Sequence, residues 1–169
     1  MMTRTVLGAI AGLAVVLGQT TSAMAAEAAV DARVARGRYL VTISGCNDCH
    51  TASYGELGGK VPEQEWLTGV PVGFQGPWGT SYPANLRLVV NGMSEAEWVG
   101  HARKERLPPM PWFNLRVMTD ADLGAIYAFV RSLGPAGVPM PAYVAPGGKV
   151  DTPYVVFVPV MDRRQAAAR

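Results

Sequence analysis

The stretch Ser44-Gly45-Cys46-Asn47-Asp48-Cys49-His50-Thr51-Ala52-Ser53 holds both cysteines of the 169-residue chain and one of its two histidines. No other segment has comparable chemical density, so its chemistry governs how the rest is read. Two cysteines separated by two residues and followed directly by histidine admit four uses: a redox dithiol, a corner of a zinc site, a small structural disulfide, or the attachment point of a c-type heme.

A thioredoxin-type dithiol opens a helix beside a βαβ sheet, and this chain shows no alternation of strands and helices to build one. A zinc site needs four ligands, whereas the Cys and His residues end at Cys46, Cys49, His50 and His101, and the adjacent Cys49 and His50 share one tetrahedral ion poorly. A disulfide leaves His50 without a task. Heme attachment uses all three residues: thiols one turn apart add to the two vinyl groups of a porphyrin, and the next residue offers its imidazole to the iron.

Working outward, the N-terminus places Arg4 before an uncharged apolar run from Val6 to Leu17 and ends in Ala23-Met24-Ala25. That pattern predicts a secretory signal peptide over residues 1–25, cleaved after Ala25, since the run is too short to span a bilayer. Only Arg4 of the 15 basic residues lies in it, and against 13 acidic residues the mature chain is nearly neutral. A nucleic-acid partner, which would demand a clustered basic excess, is not expected. The mature chain is expected to carry no transmembrane segment and to work in the periplasm.

Val30, Val34, Gly37 and Val41 predict a helix running up to Cys46. From Thr51 to Val90 glycine and proline recur without a sustained period, predicting loop with short turns. Ser94 with Glu97 forms a capping box for one helix, and Thr119 with Asp122 caps another that carries Leu123, Ile126, Tyr127, Val130 and Leu133 on one stripe before Gly134-Pro135. Residues 135–169 are proline-rich, with Thr152 to Val160 predicted as an extended strand that lies over the domain or docks on a partner. The expected organisation is a signal peptide, 1–25, one domain, 26–134, and an extended tail, 135–169.

A His-ligated iron in an electron carrier takes a sixth ligand, and a thioether raises its potential. Met93, Met110, Met118, Met140, Met161 and His101 are the candidates. Met110 stands out: prolines at 108, 109 and 111 fix the backbone on both sides and present it from a stiff loop. Met118 reads as core filling, Met93 as a staple before Ser94, and His101 as a solvated helix residue.

With those residues in place, the sequence resembles a class I c-type cytochrome, and more narrowly the periplasmic monoheme and diheme cytochromes found beside bacterial dehydrogenases. The resemblance covers about residues 30–135 and rests on GRYLVTISGCNDCHT, GTSYPANL, LPPMPWF and TDADLGAIYAFVRSLGP, in that order. It implies an all-α fold in which N-terminal and C-terminal helices cross at small residues, here Gly37 against Gly124 or Tyr127, with long loops around the heme. It implies thioethers at Cys46 and Cys49, His50 as proximal and Met110 as distal ligand, and Tyr82, Asn85 and Trp112 as partners of the heme propionates. Diheme members would need a second Cys-x-x-Cys-His, so the expectation is one covalently attached heme c. The function implied is single-electron transfer from a dehydrogenase or other donor to a cytochrome or oxidase acceptor, without catalysis of its own. The alternatives are a heme subunit held permanently by a dehydrogenase, and a heme enzyme or gas sensor with a displaceable sixth ligand.

Overall fold

A computed structural model of the chain describes the backbone of residues 7–159 and the side chains of residues 24–159. The first helix, α1, runs Leu7–Ile43 and ends two residues short of Cys46, because Gly45 turns the backbone into the left-handed region at φ 67°. A single-turn helix, α2, then covers Cys46–His50. Glycine adopts that φ without a Cβ penalty, and the turn sets the heteroatom motif at an angle to α1. The proposed cleavage point after Ala25 lies within α1, and the residues around it, 24–33, are exposed.

The segment expected to be loop contains more structure than its composition suggests. A 3-10 turn covers Glu63–Glu65, and an antiparallel hairpin joins β1 (Gly73–Gly76) to β2 (Gly79–Ser81) through Pro77 and Trp78. It ends in a short helix, α3, over Leu86–Asn91. The Asn85 side chain accepts a hydrogen bond from Leu88 N and starts that helix, the ordinary work of an N-cap asparagine. Both expected caps are present further on. Ser94 and Glu97 form the capping box of α4 (Glu95–Ala102), and Thr119 accepts from Asp122 N at the start of α6 (Asp120–Ser132). Between them lies an unexpected helix, α5, Trp112–Val117, which begins directly after Pro111.

Helices α1 and α6 cross, and their contact is the centre of the fold. A Cβ on Gly37 would lie 2.0 Å from the Ala125 carbonyl oxygen and 2.8 Å from Phe129 Cβ. The crossing therefore uses Gly37 as expected but meets Ala125 and Phe129, not Gly124 or Tyr127. Gly124 faces Arg33 and Glu95 instead, and the Tyr127 hydroxyl donates to the Met93 carbonyl at 3.0 Å. Around the crossing, Leu40, Val41, Leu67, Val90, Trp98, Leu123, Ile126, Phe129 and Val130 are buried. Each large apolar side chain so removed from water contributes about 1.5–3 kcal/mol before chain entropy is counted. Arg87, also buried, donates to the carbonyls of Gln64, Leu133 and Gly134. It thereby ties α3 to the C-terminal end of α6, where a cation also suits the helix dipole.

The chain beyond α6 folds back over the domain. Val144 bridges Thr80, the Tyr143 hydroxyl donates to the Trp78 carbonyl at 2.7 Å, and β3 (Tyr154–Val156) pairs in parallel with β1. The result is a helical fold with a small sheet of order β2-β1-β3.

Candidate functional site

Residues from α2, the hairpin, α4, the Met110 loop, α6 and the tail enclose one cavity of about 410 Å3. Cys46, Cys49, His50 and Met110 all line it, as do Tyr82 and His101. Most of the remaining wall is apolar: Val41, Leu67, Phe74, Leu86, Ile126 and Val130 contribute to it. The volume lies in the range of small-molecule and cofactor sites.

His50 is buried and its Nδ1 lies 2.7 Å from the Ala84 carbonyl oxygen. A carbonyl only accepts, so Nδ1 carries the proton and Nε2 keeps its lone pair, the state required of a metal-ligating imidazole. Burial also lowers the pKa of His50, and the Ala84 bond only partly offsets this. The backbone of the motif is fastened as firmly as the ring. The His50 carbonyl accepts from Gly69 N at 2.8 Å, and the Thr51 hydroxyl donates to Asn47 Oδ1 at 2.7 Å while accepting from Leu67 N at 2.8 Å. Asn47 is thus an internal strut of the motif, 1% exposed, although its Nδ2 meets no partner among the described residues.

The two cysteines are free thiols in this structure. Burial pushes Cys46 up to about 11, with Asp48 and Cys49 adding to the rise, and burial then Asp48 raise Cys49 as well. A redox-active dithiol at a helix start has its thiolate stabilised, the opposite of what this site does. Among the described residues, no three His, Cys, Asp or Glu side chains converge as metal ligands on their own. Two protonated thiols on the wall of an apolar cavity, beside an imidazole held as the neutral tautomer, match the donor set of a covalently attached porphyrin.

Met110 is half-buried, on a loop held by Met110 N to Leu107 O at 3.3 Å, Trp112 N to Met110 O at 2.9 Å and Ser81 Oγ to Pro108 O at 2.8 Å. The other methionines have other surroundings. Met93 and Met118 pack against the core, and Met140 lies over Gly69. Met161 falls outside the described residues.

The residues assigned to propionates separate into two groups. Tyr82 lines the cavity, its hydroxyl 2.7 Å from Thr152 Oγ1. Asn85 does not line it: its amide donates to the carbonyls of Ala136 and Val138 at 2.8 and 3.2 Å, while its oxygen caps α3. Trp112 is also away from the cavity, beneath the Arg116 guanidinium at 4.2 Å from the ring centre. His101, expected in solvent, is on the wall, stacked against Trp98 at 6.2 Å. Its pKa is lowered by burial and then by Arg106 and Lys104. Ser81, Arg106, Pro141 and Tyr143 complete a side of the wall that no sequence periodicity announces.

The family model for cytochrome c matches residues 34–134. The gluconate 2-dehydrogenase cytochrome c subunit of Pantoea cypripedii is 30% identical over 129 residues, 69% of this chain. The chain spans 27% of that relative's length. No solved structure matches the chain. Among the described residues, no helix is long and apolar enough to cross a membrane.

Proposed function

The chain belongs to the cytochrome c family of heme electron-transfer proteins, and on that premise we propose that it carries one covalent heme c and works as an exported, periplasmic electron carrier. Cys46 and Cys49 would hold the heme through thioethers, and His50, through Nε2, and Met110 would hold its iron. The bound heme would supply reversible one-electron chemistry at its iron. The chain's own part is to exclude water with the apolar wall, to keep the His50 ring in one tautomer and orientation through Ala84, and to offer a soft sulfur from a loop braced by Ser81. What carries this reading is the convergence of Cys46, Cys49, His50 and Met110 on one apolar cavity.

A pyridine hemochrome spectrum with the intact mass of the exported protein tests it. The expected result is one covalent heme per chain and an N-terminus at Ala26. A second heme, a non-covalent one, or none would overturn the assignment.

A second reading, a heme subunit held by a dehydrogenase, is supported by the name of the Pantoea relative and by the strand at the tail. Tyr154 to Val158 form an uncharged run with every side chain exposed, along the open edge of the sheet. Such an edge favours pairing with another chain. A dehydrogenase that stays with the protein through gel filtration from its native source would establish the subunit reading, and a monomer reduced rapidly by several donors would retire it.

A further inference from the structure

A heme brings two carboxylate groups as well as an iron, and the cavity wall offers few groups to receive them. Tyr82 and Tyr143 already hydrogen-bond Thr152 and the Trp78 carbonyl, and the Ser81 hydroxyl donates to the Pro108 carbonyl. Asn85 and Trp112 lie elsewhere. Two groups on the wall keep donor capacity to spare. Arg106 is the one Lys or Arg lining the cavity among the described residues, and the hydrogen bond found for it runs to the His101 carbonyl at 2.8 Å. A guanidinium has five N–H donors, so four of them stay uncommitted. The His101 ring, held against Trp98, makes no hydrogen bond among the described residues. It stands in the last turn of α4, five residues before Arg106, and on the same wall.

Taking the heme reading above as its basis, we infer that Arg106, with His101 beside it, receives the heme carboxylates at the C-terminal end of α4. An ionised carboxylate entering an apolar cavity is costly unless a cation or charge-assisted donor meets it. Arg106 is half-buried, braced by its bond to the last turn of α4, and shaped for a two-pronged contact with a carboxylate. Glu105, also on the wall, would repel the same carboxylates and makes the single cation more necessary. Arg106 is a positioning residue here, acting on the heme's orientation and charge balance rather than on its ligation.

The bond from Arg106 to the His101 carbonyl would by itself make Arg106 a helix cap and nothing more, so the test needs a readout that capping does not move. Resonance Raman spectra of the purified holoprotein report the propionate bending mode, and voltammetry reports the midpoint potential. In Arg106→Gln the propionate mode is expected to shift and the potential to fall, because loss of a nearby positive charge favours the ferric state. In Arg106→Lys the potential is expected to stay closer to the parent while the mode still shifts, since a point charge replaces a planar fork. Arg116→Gln, which removes an exposed cation stacked on Trp112, is expected to change neither. An unmoved propionate mode in Arg106→Gln overturns the inference whatever the potential does, and if that variant yields no holoprotein, an unmoved mode in Arg106→Lys overturns it equally. The pyridine hemochrome of the parent separates the two levels: a parent without covalent heme defeats the cytochrome assignment itself.

Discussion

The His50 side and the Met110 side of the cavity are built by opposite means. His50 is 7% exposed, its ring fixed to Ala84 and its main chain to Gly69, and its neighbours Asn47 and Thr51 lock onto Leu67 inside the core. Met110 is half-buried on a proline-strung loop, where one side-chain hydrogen bond, from Ser81 to Pro108, joins the hairpin to the segment. His50 is held by a buried hydrogen-bond network and Met110 by backbone restriction. The first arrangement resists displacement through many coupled bonds; the second depends on the stiffness of Pro108, Pro109 and Pro111.

The largest expected effect breaks the contrast at its rigid end. His50→Ala removes the nitrogen that Ala84 orients, and the variant is expected to lose its low-spin heme spectrum, read by absorbance of the purified protein. Met110→Ala comes next: covalent heme is retained, while the sulfur-to-iron charge-transfer band of the ferric protein disappears and the midpoint potential falls. If that band survived, the distal assignment would move away from Met110; His101→Phe is expected to leave it in place. Thr51→Val sharpens the comparison by stripping the hydroxyl that joins Asn47 to Leu67, and is expected to cost about 1–3 kcal/mol in denaturant unfolding by orphaning buried groups. Ser81→Ala, the matching change on the Met110 side, is expected to cost only about 1 kcal/mol, because its bond is more exposed. Equal losses for Thr51→Val and Ser81→Ala would mean that the two sides are anchored alike.

The residues legible in the sequence are those whose partners lie within a few positions. Ser94 with Glu97 and Thr119 with Asp122 mark real helix starts because a cap is satisfied three residues away. Cys46, Cys49 and His50 share the cavity wall because one helical turn joins them. Met110 reaches the same wall from sixty residues on, and the prolines at 108, 109 and 111 mark it in the sequence. What stayed hidden depends on distant partners. Asn85 precedes a helix of six residues, too short for a period to show, and its amide is committed to carbonyls some fifty residues away. Gly37 announces a close approach, but whether it meets Ala125 or Gly124 is decided by how α6 rotates against α1. Arg106, His101 and Tyr143 reach the cavity through tertiary packing, and a charged or half-exposed residue in a glycine- and proline-rich setting gives no local sign of it.

The parallel pairing of β3 with β1 also has a bearing on the order of assembly. Gly73 and Tyr154 are partners across the length of the helical domain, so their pairing closes a long loop for a ladder of three residues. The crossing of α1 with α6 closes a loop of similar length but is rewarded by the buried core around it, and its residues all precede the tail. The cavity wall that Pro141 and Tyr143 supply is therefore the one that can form last and open first without unmaking the core. A planar group attached at Cys46 and Cys49 would enter a half-built cleft, and the segment that carries Pro141 and Tyr143 would complete its wall.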